Sequence, residues 1–156
     1  MITQSYQRVL GRNPDPGGMV TWMAALADGT VRLDTIGPTL MSSEEFYLRG
    51  GSSDTGFVNN IYQAALGRGA TAWEVDHWGA VRRARGPEPV LAGVWGSPEA
   101  AKRRVGQTYA YYLGRSAGAP EQEYWLPVVA GSGDEQLREE VVVSSEYTQR
   151  AQSRFP

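Results

Sequence analysis

The sequence has no cysteine, so disulfides, thiolate metal sites and cysteine nucleophiles are excluded. It has one histidine, His77, so sites built from two or more imidazoles are excluded as well. No apolar run approaches the roughly eighteen residues that a membrane-spanning helix needs. No charged start followed by an apolar stretch marks a signal peptide. Neither charge sign dominates. Fifteen Lys and Arg against 17 Asp and Glu leave a net charge of −2, which argues against a general nucleic-acid binder. There is no Gly-x-Ser-x-Gly nucleophile elbow and no Gly-x4-Gly-Lys-Ser/Thr phosphate loop. What remains is ordinary: 41% hydrophobic residues over 156 positions, enough to bury a core as one domain or as a short array of small units.

What the sequence does have is internal repetition, which decides the fold before any other pattern does. Leu-Gly-Arg occurs at Leu10-Gly11-Arg12, Leu66-Gly67-Arg68 and Leu113-Gly114-Arg115. A tyrosine stands four residues before each leucine (Tyr6, Tyr62, Tyr109), and a tryptophan ten residues after each arginine (Trp22, Trp78, Trp125). A Ser-x-Glu follows each time, at Ser43 and Glu45, Ser97 and Glu99, Ser144 and Glu146, and the next residue is Phe46, Ala100 or Tyr147. Rare residues at fixed offsets in three registers predict three tandem units.

The same register predicts helices. Tyrosine and leucine four apart share a helical face, and the glycine that follows suits a left-handed helix end. Asp15, Thr71 and Gly118 then stand at N-cap positions. Pro16 suits a first helical turn, and Thr71 with Glu74 forms a capping-box pattern. The helix so begun carries the tryptophan; in the first unit its expected apolar face is Met19, Trp22, Met23 and Leu26, and Gly29 ends it. A third segment holds Leu33, Ile36 and Leu40 in the first unit, Val90, Leu91 and Val94 in the second, and Leu137, Val141 and Val142 in the third. The serine caps a fourth short helix. The β-branched run Val141-Val142-Val143 is compatible with a strand, but Glu139, Glu140 and Ser144 around it favour helix. The expected fold is all-α: three tandem repeats of three to four short helices, packed together. The expected units are residues 1–49, 57–104 and 105–156, with 50–56, Gly50-Gly51-Ser52-Ser53-Asp54-Thr55-Gly56, as a flexible Gly/Ser linker. No such linker separates the second and third units, so those two are expected to pack as one body.

The pattern Tyr-x3-Leu-Gly-Arg, then Asp-x2-Gly-x3-Trp, then Ser-x-Glu-Phe resembles a family of uncharacterised bacterial helical repeat domains. Those domains are common in large secreted and cell-surface proteins, including surface-layer-like proteins and adhesins. More distantly the pattern is similar to the helical linker polypeptides of phycobilisomes. The first unit fits throughout, with Asp15, Gly18, Trp22, Ser43, Glu45 and Phe46. The second has Thr71 and Glu74 in place of the Asp and Gly, and Ala100 in place of the aromatic; the third has Gly118 and Glu121. The resemblance implies a helical fold and an extracellular assembly role, and it carries over no catalytic residues.

Each candidate site has two readings. The arginines Arg12, Arg68 and Arg115 are expected to form bidentate structural pairs with Glu45, Glu99 and Glu146; the functional alternative is capture of an anion or carboxylate. The repeat anchors Tyr6, Trp22, Tyr62, Trp78, Tyr109 and Trp125 are expected in the core; the alternative is an exposed aromatic row that stacks on sugars, with Trp73, Trp95 and Tyr124 as further supply. Glu74 and His77 have the i, i+3 spacing of a carboxylate-bridged metal site, which needs a second such pair that the sequence lacks. Asn13 and Asp15 form a short acidic turn without the ligand spacing of a calcium loop. No metal, cofactor or catalytic residue is therefore expected.

Charge is unevenly spread: residues 1–56 carry −2, residues 57–104 carry +3 and residues 105–156 carry −3. The surplus comes from Arg82, Arg83 and Arg85 and from Lys102, Arg103 and Arg104, a candidate interface with an acidic end of a neighbouring copy; nucleic-acid binding there is the weaker reading. The expectation is a non-enzymatic structural or interaction protein of an extracellular or virion-type assembly, such as a surface layer, an adhesin or a phage tail or capsid component. Its partners would be other protein subunits in a homo-oligomer or larger assembly. The alternative is a carbohydrate- or cell-wall-glycan-binding attachment module. A start at Met1 without a secretion signal implies lysis release, signal-independent export or membership of a longer protein.

Overall fold

The computed structural model describes residues 1–154. Its described residues form eleven α-helices and no strand, so the fold is all-α. In chain order these are α1 (Ile2–Leu10), α2 (Pro16–Ala27), α3 (Ile36–Met41), α4 (Glu44–Arg49), α5 (Asp54–Leu66), α6 (Ala72–Arg85), α7 (Glu88–Trp95), α8 (Pro98–Tyr112), α9 (Ala119–Ser132), α10 (Glu135–Val143) and α11 (Ser145–Arg154), with a single 3-10 turn at Leu33–Thr35 before α3. Among the described residues no helix is long and apolar enough to cross a membrane.

The helix ends follow from local chemistry. Asp15 accepts a hydrogen bond from the Gly18 N–H at 2.8 Å and so starts α2. At α6 the capping box is complete: Thr71 accepts from the Glu74 N–H at 3.3 Å, and the Glu74 carboxylate accepts from the Thr71 N–H at 2.7 Å. At α9 Gly118 has no side chain to cap with, and only the returning half exists, from the Gly118 N–H to Glu121 at 2.5 Å. Ser43, Ser97 and Ser144 each accept from the N–H three residues on, at 3.2 Å in all three cases. The Leu-Gly-Arg glycines, Gly11, Gly67 and Gly114, have φ of 63°, 73° and 67°. This left-handed conformation is available to glycine at no steric cost.

The chain divides into two compact units, Met1–Trp95 and Gly96–Pro156. In the first, α5 is the central helix. Phe57, Val58, Ile61, Tyr62, Ala64 and Ala65 are all buried, which takes in more than one face, and α5 packs against α1, α4, α6 and α7. Tyr6, Val9 and Leu10 of α1, Ile36, Leu40 and Met41 of α3, Phe46 of α4, and Val90, Leu91 and Val94 of α7 complete that core. Phe46 meets Phe57 edge to face at 5.8 Å. In the second unit, Ala101, Val105, Tyr109 and Leu113 recur every four residues along one side of α8 and its end. They face Trp125 and Val129 of α9 and Leu137 and Val141 of α10.

Three expectations need correction. The stretch 50–56 is not a free linker. Ser53 caps α5, Tyr47 donates its hydroxyl hydrogen to the Ser52 carbonyl at 2.8 Å, and a Cβ on Gly56 would overlap the Gly50 carbonyl. The two glycines let the backbone fold back on itself and bring α4 onto α5. Second, a boundary at 104/105 falls inside α8, which runs unbroken because nothing between Pro98 and Tyr112 interrupts its apolar stripe. The compact units divide at 95/96 instead, so the second and third expected units do not form the body that a missing linker implied. Third, Met23 is exposed rather than core-facing, while Met19, Trp22 and Leu26 are half-buried.

Arg104 also departs from expectation. It was a candidate surface cation, yet it is only 5% exposed. Its Nε donates to Asp134 at 2.9 Å and one Nη to the Val129 carbonyl at 3.2 Å, and Arg138, also buried, reaches Asp134 at 3.4 Å. One carboxylate thus compensates two buried cations at the start of α10. Removing it with Asp134→Ala takes this carboxylate from both buried guanidinium groups, which is expected to destabilise the second unit by about 3–5 kcal/mol. Urea unfolding monitored by helical circular dichroism measures that loss, and a midpoint equal to wild type would show that the pairing carries no stability.

Candidate functional site

The recurring residues meet in one arrangement, formed three times. The tyrosine lies near the C-terminal end of one helix, the left-handed glycine reverses the chain, and the next helix brings the tryptophan back beside the tyrosine. Trp22 donates its indole N–H to the Tyr6 hydroxyl at 2.9 Å, Trp78 to Tyr62 at 2.9 Å, and Trp125 to Tyr109 at 3.2 Å. The arginine after each glycine lies over the tyrosine ring: Arg12 over Tyr6 at 5.3 Å, Arg68 over Tyr62 at 5.0 Å and Arg115 over Tyr109 at 5.1 Å. Trp125 is buried, and Trp22 and Trp78 are half-buried. The Trp78 ring lies so close to Gly93 of α7 that a Cβ there would overlap it.

Carboxylates hold all three arginines. Arg12 makes a bidentate pair with Glu45, at 2.6 and 2.7 Å. This holds the Arg12 guanidinium above its ordinary pKa and the Glu45 carboxyl below its own. Arg68 makes a bidentate pair with Glu74 of the capping box, at 2.9 and 3.1 Å; Glu99 stands in the first turn of α8. Arg115 has both kinds of partner: Glu146 at 2.5 and 2.8 Å, and Glu121 at 2.7 and 2.9 Å. Hydrogen bonding to Glu146 and then to Glu121 raises the Arg115 pKa, and the Arg115 bonds lower those of both carboxylates. Sequence reasoning missed two parts of this. One is the indole-to-phenol bond, whose signal is the constant sixteen-residue separation of Tyr and Trp. The other is the second carboxylate, six residues after the arginine, present at Glu74 and Glu121 and replaced by Gly18 in the first copy.

The other candidates resolve individually. His77 is exposed, stacked on Trp73 at 5.0 Å and edge-on to Trp78 at 4.8 Å. Glu74 is committed to Arg68 and Thr71, so it does not pair with His77 as a ligand set. Asp15 is engaged by the Gly18 N–H. Among the described residues no group of three or more His, Asp and Glu is arranged to hold a metal ion. The basic cluster is not one surface. Arg82 bonds Asp54 at 2.6 Å and lies 4.0 Å over the Tyr47 ring and 4.8 Å over Phe57, inside the first unit. Arg83 takes the other Asp54 oxygen at 2.8 Å. Burial pushes the Asp54 carboxyl up, but its bonds to Arg83 and Arg82 outweigh that and hold it below its ordinary value. Arg103 is half-buried, while Arg85 and Lys102 are exposed.

The third arrangement borders an open groove of about 390 Å³, walled by Leu113, Pro120, Tyr124, Val141 and the carboxylates of Glu121 and Glu140. Tyr124 is 59% exposed, its ring edge-on to Trp125 at 4.9 Å.

The model of a family described as a domain of unknown function, DUF4214, matches residues 1–36 and 37–104, two thirds of the chain. The chain belongs to the DUF4214 family. That description assigns no activity. No curated protein and no solved structure matches the chain. In this DUF4214 chain the Tyr109–Arg115–Trp125 arrangement lies beyond the matched residues, yet it makes the same bonds as the two within them.

Two outcomes follow. Trp125→Phe leaves the buried Tyr109 hydroxyl without its donor, and Tyr109→Phe leaves a buried indole N–H unpaired; each is expected to cost about 1–2 kcal/mol. The double variant should cost less than the two singles together, and strict additivity in urea unfolding would show that the bond contributes nothing. The second concerns pH. Bonding to Arg68, helped by the Thr71 N–H, lowers the Glu74 carboxyl from 4.5 to about 2. A depressed folded-state value means that its contribution is complete above 4.5 and is lost as pH falls towards about 2. Unfolding free energies measured from pH 6 to 2 should fall less steeply in Glu74→Gln than in wild type across that window; parallel slopes would contradict the assignment.

Proposed function

We propose that this chain is a non-enzymatic structural protein that acts through contacts with other protein subunits, in an assembly that is extracellular, on a cell surface or in a virion-type particle. The observation that carries this reading is the commitment of the recurring polar residues to one another. The indole N–H groups bond tyrosine hydroxyls, and the arginines lie over those tyrosines while bonding carboxylates of the same compact unit. Residues placed in this way hold helices together and leave recognition to the outward faces. Among those faces α2 carries no charged residue and exposes Val20 and Met23. The extracellular or virion setting rests on the resemblance of the repeated pattern to surface-protein domains.

Attachment to cell-wall glycan is the second reading. Trp73, 69% exposed, favours it. A sugar platform needs a row of such rings, and Trp22, Trp78, Trp95 and Trp125 are half-buried or buried. Trp73 itself is stacked on His77.

Size-exclusion chromatography with light scattering, over a range of protein and salt concentrations, tests the assembly reading. The mass is expected to rise with protein concentration and to fall with added salt, because surface charge attraction is screened. A monomer mass throughout would remove self-assembly and leave a subunit that depends on a different partner.

A further inference from the structure

We propose that the groove beside Arg115 receives an arginine side chain from a second copy of this chain, and that Arg85, at the exposed C-terminal turn of α6, supplies it. This inference rests on the assembly reading and names its contact.

The groove is built for a cation. Arg115 has no donor left for an incoming anion: an arginine has five N–H groups, and Glu146, Glu121 and the Ser116 carbonyl accept from Nε and both Nη atoms. Three carboxylates, Glu121, Glu140 and Glu146, therefore stand against one guanidinium and leave the groove with a net charge of −2. Glu140 pairs with no cation among the described residues; it accepts only from the Gln136 amide, at 3.2 Å. The exposed Tyr124 ring forms a wall beside these acids. A ring face next to a carboxylate suits the planar guanidinium, which stacks and bonds bidentately, better than a lysine ammonium.

The other two arrangements show that the frame does not require this lining. At the positions of Glu121, Tyr124 and Glu140, counted from the tryptophan and the capping serine, the first copy has Gly18, Thr21 and Thr39. The second has Glu74, His77 and Gly93. The arginine, tyrosine and tryptophan meet in the same way in all three. An exposed tyrosine and a glutamate without a cation partner among the described residues line one groove only in the third.

The donor is identified by elimination within the basic cluster. Arg82 and Arg104 are held inside their units, Arg83 is bonded to Asp54, Arg103 is half-buried, and Lys102 offers an ammonium in place of the planar guanidinium. Arg85 is exposed and pairs with no carboxylate among the described residues, and Gly86, with φ of 84°, turns the chain away after it. Groove and donor lie in different compact units, so a two-fold dimer makes the contact twice and a head-to-tail ring or filament makes it once per neighbour.

Light scattering on the full chain tests this with Glu140→Arg, Arg85→Glu and Tyr124→Ala, after circular dichroism has confirmed wild-type helicity and melting. Glu140→Arg takes the groove from −2 to zero and sets a cation opposite the cationic donor, and Arg85→Glu puts a negative donor opposite a negative groove. Each is expected to weaken association at least about tenfold, and Tyr124→Ala should weaken it as well. The equimolar mixture of the two charge variants is the decisive arm. Every contact between unlike chains again sets a cation opposite a carboxylate, so association should recover towards the wild-type level; a purely structural defect would not be rescued by mixing. If both charge variants associate like wild type, the assembly reading stands and this contact is overturned. If mixing fails to restore what the single variants lost, the pairing of Arg85 with this groove is overturned. A wild-type chain that stays monomeric at every concentration overturns this contact together with self-assembly, and leaves the structural role to a different partner.

Discussion

The bond from an indole N–H to a tyrosine hydroxyl is the constraint on which the rest of the architecture turns. It joins two helices on either side of a left-handed glycine and so fixes the angle at which the chain re-enters the fold. The arginine that follows the glycine can lie over the tyrosine ring only because that turn is tight. Once there, its fork is aimed at carboxylates on a neighbouring turn or helix. A cation over a ring and a charge-assisted bidentate pair reinforce each other geometrically, since both need the guanidinium plane held still. The glycine is constrained twice. Its φ excludes most side chains, and in two of the three copies another arginine, Arg49 or Arg150, lies where a Cβ would project. Arg150 donates there to the Leu113 carbonyl at 2.5 Å and so caps the end of α8.

Such staples matter because most of these helices are too short to persist alone. Isolated helices below roughly 12–15 residues are marginal in water, and α3 and α4 have six residues each. Their stability has to come from tertiary contacts. In the first unit α5 supplies them by burying residues towards several neighbours. In the second unit the four-residue stripe of α8 does so, together with a buried ion cluster in which Asp134 serves two arginines. Replacing that cluster by well-packed apolar groups could be neutral or stabilising, whereas removing one member is costly. Its retention in the core is thus better understood as fixing where α10 begins than as adding net stability.

Much of this was legible in the residues, for identifiable reasons. The helix starts were readable because capping is local: Asp15, Thr71 and the three serines bond an N–H three residues away and depend on nothing distant. The Arg12–Glu45 and Arg115–Glu146 pairs were readable because both partners recur at steady offsets. The basic cluster was misread, since a run of arginines in a sequence carries no sign of what lies across from it. Asp54 is 28 residues from Arg82, and Asp134 is 30 from Arg104. The Gly/Ser stretch was misread for the opposite reason. Composition predicts freedom, but Gly50 and Gly56 are where two backbones press together, which glycine permits for the same reason that it permits flexibility. Val141-Val142-Val143 lies in a helix with Val141 buried and Val143 exposed, which a three-residue window cannot reveal.

The three arrangements also separate what the fold needs from what it leaves open. Tyrosine, arginine, tryptophan and the left-handed glycine make the same contacts each time, so they report on folding. The residues around them change chemistry without disturbing those contacts: a glycine or a glutamate four positions before the tryptophan, and a threonine, histidine or tyrosine just before it. A position whose identity varies while the surrounding geometry stays constant is free of the folding constraint. Where such a position also carries an exposed ring or an uncompensated charge, its chemistry has to be explained by something outside the fold. By that argument, the proposed contacts with other subunits are to be sought in the variable lining beside each staple and not in the staple itself.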